Sequence, residues 1–296
     1  MSAKARRGGR TRGFRRFDLA LLILYLAVVA IAFAWPFLQG SDSGTPYTLP
    51  RPEDKIPTPT HPLGLDDLGR DVLANILSGF KTSFVGGILA TSFFLIFGIG
   101  LGLFIGFEEK AGAGVVGAVV SGLNSIPKFF ALFLAFIVMD RYVPFVLMAI
   151  LGILSAPRLA EMLKFKISYY RKEDFYDAAI ALGLSPIRVV GKHIIWHNAR
   201  KSIFSELAYM FGYAILSEAT LSFILLGSMG PGWQSWGAII NQELSSFSVL
   251  VYNLFNPSGG GGGVDNPLKF LAPLASLVAT VMLFTVLSRA LSEEAR

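Results

Sequence analysis

Few residues in this chain are placed to do chemistry. His193 and His197 are four apart, so a helix would carry them on one face, a spacing that can bind a metal. No Glu stands between them in an H-E-x-x-H pattern, so a surface or partner-contacting role is the simpler reading. The chain has three histidines and no cysteine, which excludes disulfides, thiol catalysis and Cys-zinc sites and argues against any metal centre. No Ser-His-Asp set stands out, and no G-x-x-x-x-G-K-[ST] phosphate loop is present. Lys128 and Glu218 are different, because each is an ionisable residue deep inside a long apolar run. Such residues face a protein interior or a wet cavity rather than lipid, and are functional candidates by default. At 1.5 Å per residue, each sits roughly 21–22 Å along its expected helix. Opposite charges at similar depth would pair or line one pathway. The plain alternative is that Lys128 snorkels to the surface and Glu218 bonds a neighbouring helix. A membrane-embedded enzyme built on these two groups would lack a nucleophile–base set.

The elements that carry them are apolar spans. Hydrophobic residues make up 53% of the 296 and charged residues only 16%, against about 25% charge in soluble domains. Mean hydropathy is +0.57. A spanning helix needs about 20 mostly apolar residues. Six segments qualify: 19–38, 82–107, 114–139, 142–163, 203–226 and 267–288. The fold class is therefore all-α integral membrane with six transmembrane helices. The fourth segment carries Pro157, Arg158 and Glu161 near its end, which favours a stop near Ser155 and a surface helix beyond. Glycines 98, 100, 102 and 106 suit close helix approach, within the subunit or between subunits.

The net charge of +6 does not point to nucleic acid, because the basic residues flank apolar spans. Lys4, Arg6, Arg7, Arg10, Arg12, Arg15 and Arg16 precede the first span. Arg158, Lys164, Lys166, Arg171, Lys172, Arg188, Lys192, Arg200 and Lys201 surround residues 164–202. Under the positive-inside rule both clusters are cytoplasmic. The chain then divides into a cytoplasmic tail (1–18), a first span (19–38), an outer loop with an amphipathic helix (39–81), a membrane core (82–288) and a cytoplasmic C-terminus (289–296). Residues 227–266 form an outer loop. The Pro-rich stretch 46–62 is a stiff outer connector, and the glycines 259–263 are a flexible one. Ala32-Phe33-Ala34 resembles a signal cleavage site, but the apolar run continues to Leu38. The inverted repeat expected of a secondary transporter is not evident.

One cytoplasmic stretch is distinctive. Residues 177–198 read DAAIALGLSPIRVVGKHIIWHN. Its first half puts Ala178, Ala179 and Leu182 on one helix face and stops at Gly183, which suits a left-handed helix end. Ser185-Pro186 then offers an N-cap and a first helical position. The expected product is a short helix, a sharp turn and a second helix. Small residues on the first helix let another protein's backbone approach.

This stretch resembles the EAA loop of bacterial ABC importer permeases. Residues 61–77, HPLGLDDLGRDVLANIL, resemble the HPLGTDDLGRDV motif of the C-type permeases of dipeptide, oligopeptide and nickel importers. Here Asp66-Asp67 suit a helix start, and Leu68, Val72, Leu73, Ile76 and Leu77 follow helical spacing. AILSEATLSFILLG (214–227) is similar to the family's AILAEASLSFLGLG, and Ser235-Trp236-Gly237 matches its SWG. There are departures. Asp177 stands for the usual Glu, Trp196 for Pro, Glu161 for a common Arg and Lys128 for a common Ser, while Ser155-Ala156-Pro157-Arg158-Leu159-Ala160 stands where the family has a G-W-P-G-Y-A pattern. The C-terminal family pattern is reduced.

The resemblance implies a type I importer permease fold that binds no cofactor itself. It implies a homologous B-type permease, two ATPases holding ATP and Mg, an extracytoplasmic binding protein and a bilayer as partners. The location implied is a bacterial or archaeal cell membrane. Asp177, Ala178, Ala179, Leu182 and Gly183 would couple to the ATPase. From their depth, and not from the resemblance, Lys128 and Glu218 would pair or line the same outer half of the pathway. Trp233, Ser235 and Trp236 would meet the binding protein or form the outer gate, the alternative being that the aromatic residues only anchor at the membrane interface. The cargo implied is peptide, with oligosaccharides and nickel as alternatives.

Overall fold

The computed structural model describes Ile23, Ala27 and Ala30, and residues 56–67, 69–107, 111–139, 144–225, 234–255 and 266–293. The first expected span lies outside this set except for Ile23, Ala27 and Ala30, which are helical. The N-terminal tail, Leu68, Trp233 and the glycines 259–263 also lie outside it.

Every long element is a helix: α1 (Val72–Phe107), α2 (Ala111–Asn124), α3 (Lys128–Met139), α4 (Pro144–Tyr170), α5 (Asp174–Ala181), α6 (Pro186–Arg188), a π-helical segment (Val189–Ala199), α7 (Arg200–Ile224), α8 (Trp236–Phe255) and α9 (Leu268–Glu293). Among the described residues four helices are long and apolar enough to cross a membrane: Val72–Phe107, Pro144–Tyr170, Pro186–Ile224 and Leu268–Glu293. A fifth results if Val116–Asn124 and Lys128–Met139, which meet at 90°, form one broken span.

Several boundaries differ from the sequence expectation. The helix expected to start at Asp66-Asp67 starts at Val72, and the cap is Asp71, whose Oδ1 accepts from Ala74 N at 3.1 Å. From there a single 36-residue helix includes both the amphipathic stretch and the second span. The third span is broken, because Pro127 has no N–H to continue the ladder of α2. The fourth runs straight through Pro157 to Tyr170. The outer loop 227–266 contains the 20-residue helix α8. Its run Asn241, Gln242, Glu243, Ser245, Ser246 lowers hydropathy below that of a span without preventing a helix.

The chain forms two compact units, residues 1–85 with 215–283 and residues 86–214 with 284–296. In the second unit α1 and α4 touch along glycines. A Cβ at Gly98 would lie 2.7 Å from Leu159, one at Gly102 2.9 Å from Leu163 and one at Gly106 2.7 Å from Ile167. Gly152 of α4 in turn lies against the backbone of Ala90. Both partners advance together in number, so the two helices run the same way, as alternate spans must. Nothing faces Gly100 within 4 Å. The glycine stripe is thus an internal packing surface at three of its four positions. Helix α2 runs antiparallel to α4 and is bolted by Glu161, which accepts from Ser121 Oγ at 2.6 Å and Asn124 Nδ2 at 2.8 Å. The helix-end contacts of α7 and α9 are the Phe211–Phe284 rings, 4.5 Å apart, and Ser205 Oγ donating to Ser288 O at 2.8 Å.

In the first unit α8 closes onto α1. Trp236 Nε1 donates to Ile76 O at 3.0 Å, and its ring lies 5.4 Å from that of Phe80. Gly237 lets α8 rest directly on the backbone of Ala219.

Candidate coupling surface and charged sites

The stretch 174–199 is built as the residue pattern expects. Gly183 has φ +86°, Leu184 N donates to Ala179 O at 3.1 Å, and Gly183 N donates to Ile180 O at 2.9 Å. These two bonds are a Schellman ending, which satisfies the last carbonyls of α5. Ser185 has extended backbone, and its carbonyl accepts from Arg188 N at 2.9 Å, so Pro186 opens the next helix as expected. The Ser185 side chain makes no cap bond.

This helix–turn–helix rests on a cluster of Ile167, Tyr176, Val189, Val190 and Ile194. Its other side is open. Asp177, Ala178, Ala181 and Gly183 are exposed, with Leu182 at 84% and Ile187 at 75%. Ala179 differs from the expected face, because it is half-buried against the cluster. Exposed apolar tips on a polar turn suit a protein partner.

Trp196, in place of a helix-breaking Pro, lets the chain run helical from Pro186 to Ile224. The cost is eleven residues of π geometry, a form found mostly as short bulges near functional sites. There, side chains reach back five residues to carbonyls: His197 Nδ1 to Lys192 O at 2.6 Å and Asn198 Nδ2 to His193 O at 2.9 Å. A carbonyl only accepts, so Nδ1 of His197 carries a proton. His193 and His197 do share a face, with rings 5.8 Å apart. Among the described residues no third ligand joins them in a metal set.

Glu218 is fully buried, 1% exposed. Ser83 Oγ donates to its Oε2 at 2.7 Å and Ser222 Oγ to its Oε1 at 2.6 Å. Ser235 and Trp236 are also buried, and Ser235 Oγ caps α8 through Ala238 N at 3.4 Å. Neither side chain is on the surface, so any part they take in a gate is through packing. Lys128 follows the break before α3, in the other unit from Glu218.

Sequence reasoning missed two charged groups. In the first unit Lys269, 3% exposed, donates to Asp67 Oδ2 at 2.6 Å and lies 3.5 Å from Glu243 Oε2. Ser246 Oγ donates to the same Asp67 oxygen at 2.9 Å. Asp66 holds Arg70 Nε at 2.7 Å, and Asn266 Nδ2 donates to Leu63 O at 2.6 Å. The 61–71 turn is thereby clasped to α8 and α9. In the second unit Arg158 Nε lies 2.8 Å from Glu206 Oε2, with its guanidinium 4.1 Å over the Tyr209 ring.

Residues 98–293 match the family described as binding-protein-dependent transport system inner membrane component. The chain belongs to this family. It is similar to a putative peptide transport system permease protein of Brucella suis, 30% identical over 240 residues, covering 80% of this chain and 77% of that one. It is 27% identical over 248 residues to an oligopeptide transport system permease protein of Bacillus subtilis, covering 83% and 80%. It is 26% identical over 249 residues to a glutathione transport system permease protein of Pectobacterium atrosepticum, covering 83% and 81%. This permease is therefore the membrane component of a binding-protein-dependent ABC importer, with several helices apolar enough to span the membrane.

Proposed function

We propose that this permease forms half of the translocation pathway of an ATP-driven importer of short peptides and takes up the ATPase stroke through residues 164–202. The observation that carries the reading is the Schellman-ended helix α5, with Asp177, Ala178 and Leu182 exposed on a buried apolar base. A rigid turn on a packed base moves as one body, which is what transmitting a switch requires. The partners would be a B-type homologue, two ATPases that hold ATP and Mg, and an extracytoplasmic binding protein. The subunit sits in the cell membrane with six spans and both termini in the cytoplasm. Lys128 and Glu218 belong to the pathway side of the bundle, and Trp233, Ser235 and Trp236 to the outer gate. Peptide cargo is supported by the relatives whose names specify peptide, oligopeptide and glutathione transport.

The test is Ala178→Trp in the reconstituted transporter. Ala178 is exposed, so the bulky ring obstructs a partner without disturbing this subunit. Uptake of a short peptide is expected to fall at least about tenfold, the size of one lost interface anchor, while the four subunits still copurify. Unchanged uptake at normal assembly removes the coupling role. Ala179→Trp is the poorer probe, since it also disrupts the cluster beneath.

A further inference from the structure

One ammonium serves two carboxylates where the 61–71 turn meets α8 and α9. Lys269 Nζ of α9 lies 2.6 Å from Asp67 Oδ2 of the turn and 3.5 Å from Glu243 Oε2 of α8. The first contact is a short hydrogen bond, and the second is an ion pair without one. Glu243 is 6% exposed, and its Oε2 accepts no hydrogen bond among the described residues. A buried carboxylate oxygen without a donor is costly. Asp67 is better placed: its side chain is 40% exposed, and Ser246 Oγ also donates to it at 2.9 Å.

The charges around Glu243 do not balance. Among the described residues the turn supplies Asp66, Asp67 and Asp71 against Arg70 and His61. Arg70 Nε is held by Asp66 at 2.7 Å, and His61 Nδ1 by Asp71 at 2.8 Å. Lys269 is the cation that α9 brings to this end, and α8 has no charged residue besides Glu243. Residues 72–80, which open α1, carry no charge. Glu218 of α7, the remaining charged group on an element touching α8, has both oxygens bound by serines. Asp67 and Glu243 therefore share Lys269. Two carboxylates at one site do not both ionise readily, and one takes up a proton. Burial selects Glu243: it lifts this carboxyl above the usual range, Lys269 opposes it in part, and Asp66 and Asp67 add to the rise.

A proton changes what Glu243 does to its neighbours. Ionised, it only accepts, and it draws on the ammonium that anchors Asp67. Protonated, it becomes a donor, stops repelling Asp67 and leaves Lys269 to it.

We propose that Glu243, Lys269 and Asp67 form a proton-operated latch: a proton on Glu243 fastens the 61–71 turn to α8 and α9, and its loss loosens the turn. The turn leads directly into α1, so the latch acts at the end of a span, on the side that the charge pattern assigns to the outside. The attached turn holds the proton more tightly than the released one. Acid therefore favours attachment, and that advantage is lost as pH rises through the attached-state pKa.

The test is hydrogen exchange of the turn in the complete reconstituted transporter, with the intrinsic chemical rate at each pH divided out. Three amide bonds close the turn: Asp66 N to Arg70 O at 2.8 Å, Gly69 N to Asp66 O at 3.0 Å and Val72 N to Gly64 O at 3.1 Å. Their corrected exchange is expected to be at least about fivefold slower near pH 5 than near pH 8, the order of one charge-assisted contact. Glu243→Gln, which is neutral and can donate, should exchange slowly at both. Ser246→Ala removes one donor from Asp67, so it should exchange faster at both pH values and still be slowed by acid. His61→Gln should keep the wild-type response.

No slowing by acid in the wild type overturns the latch, as does a Glu243→Gln protein that responds like the wild type. Loss of the response in His61→Gln would assign it to the His61–Asp71 pair instead. Unchanged exchange in Ser246→Ala would mean that the Asp67 contacts do not hold the turn. An equal acid effect on α5, in the other unit, would show general stabilisation and no latch.

Discussion

Glu243 has more burial than compensation. Its Oε2 accepts no hydrogen bond among the described residues, and Lys269, 3.5 Å away, donates to Asp67 instead. Burial pushes its carboxyl above the usual carboxylate range; Asp66 and Asp67 add to the rise, and Lys269 only partly opposes it. A raised acid pKa means the folded state prefers the proton. The unfavourable term is therefore full above the folded pKa and is relieved as pH falls through it. Thermal unfolding followed from about pH 8 down to about pH 5 should show the midpoint rising on this account. Glu243→Gln should remove most of that rise. A variant that titrates like the wild type would place the effect elsewhere. Part of this group was legible beforehand: Asp66, Asp67, Glu243 and Lys269 all fall on the outer side by parity. Which of them meet was not, because α8 read as a loop and its serines and Gln242 hid a 20-residue helix.

At the scale of elements, the legible features were those written in local backbone chemistry. Gly183 followed by Ser185-Pro186 specifies a left-handed stop and a new start without any tertiary information, and both formed. The π segment was not legible, since side-chain periodicity does not encode a widened hydrogen-bond register. Nor was the start of α1, where three aspartates compete to cap and Asp71 prevails because its side chain reaches Ala74 N. A Cβ at Gly183 would meet nothing within 4 Å, so substitution there is limited by φ alone. Gly183→Asn should keep near-normal uptake, because Asn tolerates the left-handed region. Gly183→Val should cost about 1–2 kcal/mol or more locally and reduce uptake. Equal uptake by the two variants would show that the turn geometry is not needed. Gly102→Ala tests a different link. Its Cβ would sit 2.9 Å from Leu163 and 3.2 Å from the Ala160 backbone. Overpacking of that kind costs about 1–3 kcal/mol, read as a lower midpoint of thermal unfolding, whereas Gly100→Ala should be silent.

For the molecule as a whole, the question is whether its two deep ionisable residues act together. Lys128 and Glu218 belong to different compact units, though α1, α7 and α9 each contribute residues to both. The sequence placed them at similar depth along their helices, and depth alone left pairing and independence open. Their own surroundings favour independence. Both oxygens of Glu218 already accept from serines, at 2.7 and 2.6 Å. Lys128 makes no hydrogen bond or ion pair with a described residue. Residues that share no partner give additive effects within about 0.3–0.5 kcal/mol. In a double-mutant cycle of Lys128→Met and Glu218→Gln, thermal stability of the complex should therefore be additive within that margin. Glu218→Gln keeps the shape and leaves both serine hydroxyls a possible partner, so its own cost should be small, about 1 kcal/mol. Lys128→Met should be neutral or stabilising, because Lys128 loses no hydrogen bond or ion pair with a described residue. A coupling well above that margin in stability would mean that the two residues interact.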